Sequence, residues 1–177
     1  MNTAVTDFKK SQGEASGASG EHPLGDLGQI IGLGVFMALW IVDSFVLRIS
    51  TGLADVVPPA VRLSAAGLVF LSAVYFIRAG HRAVEGDEPQ PRKLIREGAF
   101  GRVRHPLYAG SLMFYLSFVL ATLSLLSMAV WGALFVFYDA IASYEERGLC
   151  RAFGPQYREY RGKVSKWLPR PKAARFD

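Results

Sequence analysis

Between Leu107 and Ser143 the chain carries one charged residue, Asp139. As a single straight helix this run would extend for roughly 55 Å, far beyond the hydrocarbon core of a bilayer. It must therefore fold back on itself. The turn is expected at Ala121-Thr122-Leu123-Ser124, on to Ser127. The run then becomes a tight helical hairpin of two short spans.

Two apolar runs precede it, from about Leu27 to Leu47 and from about Val61 to Ile77, joined by a short loop with Pro58 and Pro59. With 51% apolar residues and a mean hydropathy of +0.22, the pattern predicts an all-α integral membrane protein. Four transmembrane helices are expected, spans three and four forming the hairpin. Residues 1–22 are rich in Ser, Gly, Ala and charge, and read as a disordered tail without the apolar core of a secretory signal peptide. Residues 23–177 read as one transmembrane domain. The tail from Glu145 onward is charged but holds Phe153, Tyr157, Tyr160 and Trp167, a pattern expected of an interfacial segment.

Basic residues set the expected orientation. Seven Lys and Arg fall between Arg78 and Arg104, and nine follow span four, whereas only Arg48 and Arg62 flank the opposite side. The positive-inside rule puts both termini and the 78–106 loop in the cytoplasm, with a bacterial inner membrane as the expected location. Near the other face, Asp43 is expected to pair with Arg62 or Arg48. The sole cysteine, Cys150, rules out an intrachain disulfide, and no metal site of the usual Cys/His spacing is present. Membrane lipids, rather than nucleic acid, are the expected environment for the basic residues.

Two polar clusters meet on the basic side. Arg104-His105-Pro106-Leu107-Tyr108-Ala109-Gly110 opens span three, with Pro106 suited to a first helical turn and Gly110 open to close approach. Glu145-Glu146 stands at the exit of span four, which the hairpin brings opposite. Asp139 lies seven residues before Glu146 on the same helix face. Arg104 and His105 beside Glu145 and Glu146 suit a zwitterion bearing a carboxylate and an ammonium. An amino acid, a phospholipid headgroup or the methionine end of S-adenosylmethionine would each satisfy them.

The stretches RKLIREGAFGRVRHPLYAG and EERGLCRAFGPQYREYRGKVSKWLP resemble the isoprenylcysteine carboxyl methyltransferase family and its bacterial relatives. Phosphatidylethanolamine methyltransferases share the broader pattern. The resemblance covers about residues 90–170, and it is the paired motifs that make it specific. It implies S-adenosylmethionine as cofactor. Arg92, Lys93, Leu94 and Ile95 would edge the adenosine, with Phe100 as the aromatic. His105, Pro106, Leu107 and Tyr108 match the central cofactor motif, and Glu145 matches the acid for the cofactor's amino group. Arg92 replaces the family's usual His and Phe100 its usual Tyr. Ile141 stands where eukaryotic members have a substrate-binding Arg, which counts against a prenylcysteine carboxylate as acceptor.

Methyl transfer from a sulfonium needs chiefly alignment and the exclusion of water. Arg104 would orient a carboxylate acceptor, whereas an amine acceptor would need a base, Glu146 or Asp139. The expected partner is a lipophilic small molecule or lipid entering from the bilayer. Two other readings stand beside this one: an NADPH-dependent reductase of the sterol-reductase-like type, and a non-enzymatic four-span scaffold.

Overall fold

The computed structural model describes residues 25–85 and 94–169. Among these the secondary structure is helical apart from one isolated bridge. The helices are α1 (Gly25–Ile41), running into a π-helical turn (Val42–Leu47), the short α2 (Leu53–Val56), α3 (Pro59–Glu85), α4 (Pro106–Thr122), α5 (Leu125–Phe153) and α6 (Pro155–Lys163). Prolines open α3, α4 and α6, where a missing N–H leaves no bond unmade.

Three segments are long and apolar enough to cross a membrane: Leu27–Leu47, Pro59–Ala83 and Leu125–Phe153. The fourth apolar helix, α4, has 17 residues, about 25 Å of rise. Large apolar side chains on the long helices point away from the protein, among them Ile30 (68% exposed), Leu68 (69%) and Val136 (67%). In water such surfaces would be costly; against acyl chains they are not. This is a membrane protein whose core is a thin seam of buried aromatics, Phe36, Tyr115 and Tyr138, with Leu112 and Val119.

The hairpin turn falls where the polar break in the sequence predicts it. Leu123 takes a left-handed conformation (φ 50), and its N–H closes α4 on Val119 O. Ser124 then caps α5, its hydroxyl accepting from Ser127 N at 2.9 Å. Yet the tightest packing of α4 is against α3, not against its hairpin partner. A Cβ on Gly110 would lie 2.6 Å from Ile77 Cγ1 and 3.1 Å from Ala73 O. The close approach expected at Gly110 is therefore made by a helix.

Helix α5 continues to Phe153, and Glu145 and Glu146 stand where its apolar stretch gives way to charged residues. Two expectations need correction. The second apolar helix runs to Glu85, well beyond Ile77, so the polar residues that follow Ile77 continue the helix. Among the described residues, Asp43 has no basic partner. It is 1% exposed and accepts from Ser50 N at 3.1 Å, from the Ser50 hydroxyl and from Ser124 Oγ at 2.5 Å. The chain reverses after Arg48 (φ 51), bringing Ser50 back onto Asp43, so hydroxyls and a backbone N–H do what Arg48 or Arg62 was expected to do.

Candidate functional site

The site forms where α4 begins and α5 nears its end. Arg104 and His105 precede α4 in irregular backbone, fixed by a parallel bridge between Val103 and Ser165 and by Arg104 N–H donating to Ser165 O at 2.9 Å. Gly154 (φ 51) ends α5 and starts α6 in the reverse sense, a conformation that favours glycine. That reversal returns residues 160–167 across the start of α4. The tail is therefore a folded cap. Tyr157, Tyr160 and Val164 are buried against Leu94, Leu149, Cys150 and Phe153, and Tyr160 Oη donates to Phe100 O at 2.8 Å. Burial raises the pKa of Tyr160 and of Tyr157, with the Glu146 charge adding to the rise at Tyr157. The Tyr157 hydroxyl is buried with no hydrogen-bond partner among the described residues.

Glu146 is the centre of charge. Its Oε1 accepts from Arg104 Nε at 2.9 Å and lies 3.2 Å from His105 Nε2, while Oε2 faces Arg161 Nε at 3.7 Å. Arg104 also donates to Val164 O at 2.7 Å and Arg161 O at 3.2 Å, which staples the tail to the site. Glu145 accepts from the Tyr108 hydroxyl, and its other oxygen stands 3.6 Å from His105 Nδ1. A carboxylate thus faces each nitrogen of the buried His105 ring, an arrangement suited to the doubly protonated form. Burial alone would lower its pKa, but hydrogen bonds and charges from Glu145 and Glu146 raise it above the usual 6.5. The ring stacks on Tyr108 at 5.7 Å and 8° and is flanked by Trp167 at 6.1 Å.

Five of the expected residues, Arg104, His105, Tyr108, Glu145 and Glu146, thus form one connected cluster. Others are placed differently. Asp139 is turned to the tail, with Lys166 Nζ at 2.5 Å and Trp167 Nε1 at 2.9 Å on its Oδ1. Lys166 also reaches Ser143 Oγ at 2.8 Å, so the four residues form a clamp. Leu107 fills the space beside Gly80 on α3, and Pro106 is buried at the first position of α4. Leu94 packs on the tyrosine cluster, Ile95 is half-buried beside it in the chain, and Phe100 contributes its carbonyl. Arg92 and Lys93 lie outside the described residues. Sequence reasoning treated Arg161 and Lys166 only as topology signals. Their roles depend on the reversal at Gly154, a glycine whose sequence signal was the Phe-Gly-x-x-Tyr motif itself.

An open cleft of about 520 Å³ adjoins the cluster, lined by Ser143, Glu146, Arg147, Cys150 and Arg151 of α5 and Arg161 of α6. A helical membrane protein with a charged, partly buried cluster at the polar end of its bundle is the class these features define. Residues 60–156 match the model of the phospholipid methyltransferase family, and the chain belongs to that family. It is therefore a methyltransferase of membranes, in a family that includes the isoprenylcysteine carboxyl methyltransferases. No curated protein matches the chain.

Proposed function

We propose that this chain transfers a methyl group from S-adenosylmethionine to a lipophilic, membrane-borne acceptor. The reaction takes place at the membrane face where α4 begins, and the excess of Lys and Arg there makes that face cytoplasmic. In this reading α4 is a fourth span, short but within the range that crosses a bilayer. The single observation that carries the reading is the His105–Tyr108–Glu145 cluster, lying within the family match and built from its paired motifs.

The residues suit the cofactor's ammonium end. Glu145 is held in place by Tyr108 on one oxygen, while the other has, among the described residues, only a long contact to His105 and keeps capacity for a further donor. When bound, S-adenosylmethionine supplies an electrophilic methyl on a sulfonium. The protein's part is to bind, orient and exclude water.

Arg104 and Glu146 act as a positioning pair. Arg104 donates from Nε to Glu146 and from Nη1 to two tail carbonyls, so its service is to hold the cap in register. Glu146 orients His105 and Arg104 together. Asp139 serves the same end through Lys166 and Trp167, and is a tether in place of a base.

Purified protein in native-lipid nanodiscs, incubated with methyl-labelled S-adenosylmethionine, is expected to label a lipid-soluble product. Titration with the cofactor and with NADPH in parallel should give heat only for the former. Saturable NADPH binding without methyl transfer would overturn the proposal in favour of a reductase, and binding of neither would leave a scaffold.

A further inference from the structure

The cleft between α5 and α6 holds three guanidinium groups, those of Arg147, Arg151 and Arg161. Arg147 and Arg151 are one helical turn apart on the same face of α5. Arg147 lies over the Tyr144 ring at 5.7 Å, and neither it nor Arg151 has a carboxylate partner among the described residues. Arg161 enters from across the cleft with one long contact, 3.7 Å, to Glu146. Glu146, the only acid in the lining, is already engaged by Arg104 at 2.9 Å and His105 at 3.2 Å, so it opposes an incoming anion weakly. The cleft begins where the apolar stretch of α5 ends, the depth at which headgroup phosphates lie.

We infer that this cleft is a phosphate-binding site, in which Arg147, Arg151 and Arg161 converge on a phosphate group at the membrane surface. Forked guanidinium donors match phosphate oxygens in pairs, which ammonium groups do not. A phosphate there also draws Arg161 away from Glu146, leaving that carboxylate to Arg104 and His105. The phosphate is either the headgroup of an anionic lipid or a free anion. The inference concerns a surface beside the proposed methyl-transfer site and does not rest on that activity.

The test uses the full chain in detergent, titrated with short-chain phosphatidic acid, with short-chain phosphatidylcholine and with inorganic phosphate. Saturable binding of phosphatidic acid is expected, weakened about tenfold or more by the double substitution Arg147→Gln and Arg151→Gln. Arg158→Gln, on α6 outside the cleft lining, should leave it unchanged. Displacement of phosphatidic acid by inorganic phosphate supports a free anion as ligand; failure to displace it supports the lipid. If the double variant binds as the parent does, or if Arg158→Gln weakens binding equally, the site is no more than diffuse basic attraction. Should the double variant fail to fold, hydrogen exchange on the unmodified chain decides: phosphatidic acid should protect residues 143–161, and protection confined elsewhere overturns the inference. A parallel titration with S-adenosylmethionine keeps failure of the methyl-transfer reading distinguishable from failure of this one.

Discussion

Asp43, at the turn end of the α4–α5 hairpin, and Glu146, at its open end, are both buried carboxylates, and their partners differ in kind. Asp43 is held by Ser50 and Ser124, with Ser127 and the Ser44, Thr122 and Trp40 bonds extending a neutral network around it. Each of its oxygens is occupied, and the loop at Ser50 is tied to the start of α5 through Leu126 N at 2.9 Å. Glu146 is held by cations, and the network around it leads to Glu145 and to an open cleft. A carboxylate enclosed by hydroxyls fastens a turn. One shared among Arg104, His105 and Arg161 has partners that a charged ligand can redistribute. The proposed methyl transfer belongs to the second end.

Replacement of Glu146 by Ala should break this contrast most visibly. It strands Arg104 and His105 without their shared acceptor, and loss of one member of a buried pair costs roughly 3–5 kcal/mol. Both thermal stability in detergent and methyl transfer should collapse, and a fully active variant would remove Glu146 from the site. Glu145→Gln is milder, since shape is kept and charge is lost. Cofactor affinity should fall by about ten- to a hundredfold with the fold intact, as a charged hydrogen bond of roughly 1.5–3 kcal/mol requires. Calorimetric titration reads it, and unchanged affinity in a folded variant would leave Glu145 without a role in binding.

At the other end, Asp43→Ala should cost about 1–3 kcal/mol of stability by leaving the Ser50 and Ser124 donors unmet, while activity per folded molecule stays level. A drop in specific activity without a drop in stability would contradict the division between the two ends. The His105 contribution should depend on pH. Its pKa is raised in the folded chain, so its stabilising effect is complete below the usual 6.5 and is lost as pH rises through the raised value. The melting-temperature gap between the parent and His105→Gln should therefore narrow from acid to alkaline pH; a gap that widens would reverse the assignment. The smallest effect is expected for Asp139→Asn. Its carboxylate is partly exposed, so the Lys166 pair is worth under about 1 kcal/mol. Methyl transfer should change less than about threefold, and a large loss of rate at unchanged stability would restore Asp139 as a base.

The apolar runs and their breaks were legible along the chain because burial in lipid acts on composition. The first span, the turn at Leu123-Ser124 and the meeting of the Arg104-His105 and Glu145-Glu146 clusters follow from length and spacing alone. The paired motifs likewise pointed to membrane methyltransferases, and the match over residues 60–156 bears out that broader pattern, though not the narrower isoprenylcysteine carboxyl methyltransferase assignment. Partner choice was not legible. Asp43 was expected to find an Arg, and only the reversal after Arg48 carries Ser50 back to satisfy it.

The same holds for the tail. Its aromatics suggested an interfacial segment, yet the turn at Gly154 folds Tyr157 and Tyr160 inward and brings Arg161, Lys166 and Trp167 onto α4 and α5. By itself, then, the sequence determined which segments are apolar enough to enter a membrane and which residue types gather at the basic end of the bundle, since these depend on local hydropathy and spacing. Only the tertiary structure decided which carboxylate meets which cation, because that depends on a few backbone reversals whose direction no local pattern encodes.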